Sequence, residues 1–147
     1  MLLKKEIKDD KIVSLYKSSN IASSTYDQSN NELIVVFKTG GQYLYEGVSV
    51  TDYTRFEIDE SQGKVLNSHI KKYPFKKLDN VDTQPINQEI EETYNALKEN
   101  EKKESYCKII DLCNDILTQS TPNPTSLIDC RDAIVNYLDK YHKLVNI

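Results

Sequence analysis

Long apolar runs are missing from this 147-residue chain, and none approaches the roughly 18 consecutive apolar residues that cross a bilayer. No membrane partner is therefore expected. The first ten residues, MLLKKEIKDD, turn charged too soon to hold the apolar centre of a secretory signal, so the cytoplasm is the expected location. Histidine is scarce. His69 and His142 are the two near-neutral bases, and neither falls in a nucleophile motif. Walker A, dinucleotide-fingerprint and His-Glu-x-x-His patterns are absent, which leaves phosphoryl transfer, dinucleotide chemistry and zinc proteolysis without a local motif. Asp59 and Glu60 are adjacent and project differently from a helix, so they make a poor acid/base pair. Only dispersed groups such as Asp59, Ser61 and His69 converging in a deep pocket would favour an enzyme, and a non-catalytic protein without a cofactor is expected. Cysteine is both sparse and odd in number: Cys107, Cys113 and Cys130 predict reduced, mostly buried thiols rather than a disulfide framework. Cys107 and Cys113 sit about 240° apart on a helix, the wrong spacing for shared metal ligation.

Positive charge is in deficit as well, with a formal net charge of -4 and a mean hydropathy of -0.60. Broad, nonspecific attraction to nucleic acid is disfavoured by that balance. Its distribution is uneven, however. Lys64, His69, Lys71, Lys72, Lys76 and Lys77 follow Gly63 without an intervening acid, whereas Glu46, Asp52, Glu57, Asp59 and Glu60 precede it against Arg55 alone. One confined anion site fits this pattern better than a long nucleic-acid track.

The chain divides by pattern into an α+β module over residues 1–78 and a helical extension over 79–147. Ile12 to Tyr16 and Ile21 to Tyr26 read as an extended edge around KSSN. Leu33 to Phe37, then Gly40 and Gly41, then Gln42 to Val48 read as a hairpin, and Asp27 to Asn31 as the reversal before it. The expected core is a three-stranded antiparallel meander. Two short helices should follow, one capped by Thr51 and burying Tyr53, Phe56 and Ile58, the next starting at Ser61 and burying Val65, Leu66 and Ile70. Tyr73-Pro74 stops the second.

From Pro85 to Thr118 glycine is absent and a long helix is expected. Ile86, Ile90, Tyr94 and Leu97 form one stripe. Tyr106, Ile109, Ile110, Cys113, Ile116 and Leu117 lie nearly opposite, so either KENEKKES interrupts the helix or its halves meet different partners. QSTPNPT reads as a loop, and Asn123-Pro124 as a helix start. Leu127, Cys130, Ile134, Leu138, Tyr141 and Val145 then supply a stripe suited to an antiparallel helical hairpin with the second half of the long helix. Apolar surface left over would be covered by a homo-oligomer or a protein partner.

Residues suited to binding concentrate in the first half. Tyr43 and Tyr45 alternate on a strand and share a face, either as core or as a stacking shelf served by Lys71 or Lys72. Ser18, Ser19 and Asn20 suit a local turn or an anion. In SQGKVLNSHI, Ser61 can cap, Gly63 can permit close backbone approach and Asn67 can bond across the module.

The ordered set Ser18-Ser19-Asn20, Gly40-Gly41 with Tyr43-x-Tyr45, and Ser61-x-Gly63 followed by Asn67 resembles the KTSC family over about residues 18–74. Leu66 departs from it where an aromatic often precedes the Asn, which removes a stacking role there. The resemblance implies a small module found at the tail of some lysyl-tRNA synthetases and as free-standing bacterial or phage proteins, with RNA binding suggested for it. The resemblance also implies that these recurring positions belong to a shared structural or binding surface. Two functions are expected: binding of RNA or a nucleotide-like anion, or a phage- or mobile-element-type interaction or inhibitory protein acting through its acidic helical half.

Overall fold

The computed structural model describes residues 1–118 and 123–141. Two compact units divide it, Met1–Tyr94 and Asn95–Ile147. In the first, β1 (Leu2–Lys8), β2 (Lys11–Tyr16), β3 (Ile21–Asp27), β4 (Glu32–Phe37), β5 (Gln42–Tyr45) and β6 (Phe75–Leu78) form one sheet in that order. Every neighbouring pair is antiparallel. Helices α1 (Val50–Ile58) and α2 (Gln62–Val65) and a π turn at Leu66–Ile70 lie between β5 and β6. Helix α3 (Gln84–Thr118) begins in the first unit and ends in the second, which also holds α4 (Pro124–Tyr141). The α+β class agrees with the sequence, but the sheet has six strands rather than three.

The added strands explain the miscount. The presumed edge over Ile12–Tyr16 and Ile21–Tyr26 is two full strands, and β1 and β6 lie at the sheet's two ends with several exposed, charged residues. Neither shows an apolar alternation, because an edge strand is held by its backbone ladder and tolerates charge that discourages further pairing. Turn chemistry is local. The Asp27 carboxylate accepts from the Ser29 and Asn30 amides at 3.0 and 3.2 Å, and Asn31 takes φ 55°. Gly40 takes φ 91° in the β4–β5 hairpin, and a Cβ there would stand 2.8 Å from the Val81 carbonyl oxygen. Only glycine meets both conditions without strain.

Register builds the core across the sheet. Ile12, Tyr26, Leu33, Tyr45 and Phe75 occupy one cross-strand row, and Ser14, Ser24, Val35, Tyr43 and Lys77 the next. Residues from these rows bury against Tyr53 and Phe56 of α1 and Val65, Leu66 and Ile70 beyond it. Tyr26 and Tyr53 stack at 4.1 Å, and the Tyr26 hydroxyl donates to the Val48 carbonyl at 2.8 Å, so a large ring is buried without an orphaned polar end. Burial of each such side chain contributes about 2 kcal/mol. Ile58, expected inside, is 68% exposed. Helix α1 also starts earlier than expected: the Ser49 hydroxyl, not Thr51, caps it by accepting from the Asp52 amide at 3.2 Å. Gly47, two residues before that cap, takes φ 72°.

On the opposite face, Leu15 and Ala22 bury against Ile90, with Leu3 and Ile86 packed beside them. Lys4–Glu89 at 2.7 Å and Lys17–Glu91 at 2.6 Å flank that contact. The first unit consequently extends to Tyr94, past residue 78. Helix α3 is continuous through KENEKKES, so its halves have different packing partners. Within the second unit Glu101 pairs with Lys140, Tyr106 meets Tyr137 at 6.1 Å, and Cys113 meets Cys130 at 3.1 Å; the order of these pairs is antiparallel. Leu127 and Ile134 of the expected stripe remain exposed, as do Ile128 and Val135. Cys107 is exposed too, contrary to the expectation of mostly buried thiols. The loop over 119–122, His142, Val145 and the side chain of Leu117 lie outside the described residues. No helix among the described residues is long and apolar enough to cross a membrane.

Candidate functional site

Tyr43 and Tyr45 emerge from the same face of β5, and Phe75 stands opposite Tyr45 on β6. Phe37, at the end of β4, meets Tyr43 edge to face at 5.6 Å; Phe75 lies 6.1 Å from Tyr43 and 5.9 Å from Tyr45. With Thr39, Gly41 and Lys71, these four rings line a cavity of about 510 Å³. The two tyrosines therefore share one site but differ in depth. Tyr45 is 3% exposed and belongs to the core, whereas Tyr43 is half-buried and Phe75 is 58% exposed. Burial, reinforced by neighbouring Tyr43, pushes the Tyr45 phenol above its ordinary ionisation range, so it stays neutral at physiological pH.

Lys71 reaches this cavity because of the helix before it. Its amide donates to the Leu66 carbonyl at 2.8 Å, the five-residue span of a π turn, while Ile70 remains fully buried. Among the described residues Lys71 forms no ion pair. Lys72 is placed otherwise: its ammonium lies 2.8 Å from the Asp52 carboxylate and 5.2 Å from the centre of the Tyr73 ring. The Tyr73 hydroxyl donates to the same carboxylate at 2.7 Å. Bonds from Lys72 and Tyr73 hold Asp52 below the usual carboxylate range. Lys76 pairs with Glu46. The basic stretch is thus partly neutralised by the acidic stretch that precedes it, and Lys71 carries its charge to the aromatic cavity.

The other expected site residues lie elsewhere. The Ser18 hydroxyl accepts from the Ile21 amide at 3.5 Å within the β2–β3 turn, and the Asn20 carbonyl accepts from the Lys38 amide at 2.8 Å. Ser19 is exposed on that turn. The Ser61 side chain makes no cap bond; its amide instead donates to Asp59 at 2.8 Å. Gly63 has no atom within 4 Å of a built Cβ, so close approach is not its role. Asn67 is exposed, and the expected bond across the module is not formed among the described residues. His69 bonds Ser68 at 2.7 Å, and Asp59, Ser61 and His69 do not form a shared hydrogen-bonded constellation. No group of three potential metal-ligating side chains occurs among the described residues.

Phe37, Thr39 and Phe75 were not singled out from the sequence. Phe37 had a legible signal, since it continues the inward-facing alternation of Leu33 and Val35. Phe75 had none, because its place opposite Tyr45 depends on a long-range strand pairing.

Comparison with known proteins finds no match among curated sequences. The KTSC domain profile matches residues 17–75. A KTSC domain protein from Yersinia pestis, solved as a crystal structure, is 30% identical over 47% of this chain and 99% of its own, with a TM-score of 0.45. Residues 17–75 of this chain thus form a KTSC domain.

Proposed function

We propose that the first unit is a non-catalytic binding module for a nucleotide-like ligand, taken as a free nucleotide or as a unit of single-stranded RNA. One observation carries the reading: Lys71 and four aromatic rings line the same cavity, and the lining includes no carboxylate. A planar base gains from stacking against Tyr43 or Phe75, while the Lys71 ammonium attracts phosphate. Equilibrium titration with adenosine monophosphate and a short single-stranded RNA tests this at low salt. Lys71→Glu is expected to weaken binding about tenfold or more, whereas Lys72→Glu, outside the cavity, changes it less than about threefold. Tyr43→Ala removes a stacking surface and lowers affinity by at least about fivefold. Absence of binding to both ligands, or equal effects of the two lysine changes, overturns the assignment.

A second reading concerns association through the helical unit, with another copy or a different protein. It is favoured by exposed Ile110, Leu127, Ile128, Ile134 and Val135, which leave apolar side chains open on α3 and α4. Light scattering on the full-length protein tests the self-association form.

A further inference from the structure

Cys113 on α3 and Cys130 on α4 come from different helices, yet their sulfurs lie 3.1 Å apart. A disulfide requires about 2.05 Å, so joining them asks for a closure of roughly 1 Å. Neighbouring contacts already fix the helices in the needed antiparallel order: Tyr106 meets Tyr137, and Glu101 pairs with Lys140. The pair is also graded in access, with Cys113 partly exposed and Cys130 only 8% exposed. Cys107 is exposed and lies on another face of α3.

We propose that Cys113 and Cys130 form an oxidisable dithiol, a covalent modification site whose reaction partner is a low-molecular-weight disulfide and whose product is a cross-link between α3 and α4. Cys113, the more accessible of the two, meets the partner first. Its thiolate attacks one sulfur; a bond forms between Cys113 and that sulfur, the partner's S–S bond breaks, and the released thiolate takes a proton. Cys130 then gives its proton to solvent and attacks the Cys113 sulfur. The Cys113–Cys130 bond forms, and the second small thiol departs. Two protein thiols are thereby oxidised, and one small disulfide is reduced to two thiols. The hydrogen bond with Cys113, followed by burial, raises the Cys130 thiol above its ordinary range, so Cys113 rather than Cys130 makes the first attack.

This inference does not depend on ligand binding in the aromatic cavity. Full-length Cys107→Ser protein is incubated with oxidised glutathione, then unfolded and alkylated. The expected result is a mass loss of about 2 Da, a fall from two alkylated thiols to none, and a peptide joining Cys113 to Cys130 that dithiothreitol separates. Cys130→Ala, combined with Cys107→Ser, is expected to stop at one retained glutathione on Cys113. Failure of the first variant to lose its two thiols, or their appearance only in mixed or intermolecular disulfides, overturns the proposal. Circular dichroism before and after treatment checks that both variants are folded.

Discussion

Glu57 is a buried carboxylate at the meeting of β1, β2 and α1. The Ser14 hydroxyl, the Tyr53 hydroxyl and the Lys5 ammonium donate to it at 2.8, 2.7 and 2.7 Å. Burial opposes its ionisation, but these bonds prevail and hold the folded carboxyl below its ordinary range. The unfolded chain therefore binds a proton more readily at this position. The stability contributed by Glu57 is present above the ordinary glutamate range and is lost as pH falls through the lower, folded value. Glu57→Gln is expected to cost about 1 to 3 kcal/mol near neutrality and to flatten the fall in urea midpoint as pH drops below the ordinary glutamate range. An acid slope equal to the parent's would show that Glu57 does not supply it. Asp52, also held low, keeps part of the slope in the variant. The same distinction between side chains separates Lys71 from Lys72: adjacent in sequence and alike in chemistry, one reaches the aromatic cavity and the other ties Asp52. The sequence shows a local excess of cations, but which cation lacks a carboxylate depends on the fold.

The β4–β5 hairpin is the element on which the site is built, and Gly40 is its critical joint. Gly40→Ala would place a methyl group against the Val81 carbonyl while retaining an unfavourable positive φ. The expected loss is about 2 kcal/mol or more, read as a lower denaturation midpoint. Gly41→Ala is the contrasting case, because its Cβ meets only Tyr43 Cε2 at an ordinary 3.6 Å; similar losses for both would refute this account. Elements with a buried alternating face were legible in the sequence, including β4, β5 and the aromatic positions of α1. The edges β1 and β6 were not, since their charged residues obey backbone pairing rather than core burial. That gap concealed one wall of the site: Tyr43 and Tyr45 were evident as a pair, but Phe75 joins them only after β6 pairs with β5.

At the scale of the whole chain, apolar periodicity left two options for α3, a break at KENEKKES or halves with different partners, and the continuous helix takes the second. It also indicated an α4 stripe, although the contacts through Cys130 and Tyr137 leave much of that helix's apolar surface uncovered. If self-association covers it, Ile128→Lys together with Val135→Lys is expected to return an oligomer to monomeric mass while preserving helical circular dichroism; a parent already monomeric at high concentration would remove this reading. The sheet topology has a further consequence. Strands β1 to β5 are linked by short turns, so each pairing closes a small loop, but β6 must return after α1, α2 and the π turn. Chain entropy consequently favours an order of assembly in which the first five strands precede the last. Phe75 arrives with that last strand, making the complete aromatic cavity a late product of folding rather than a feature available to the nascent hairpin.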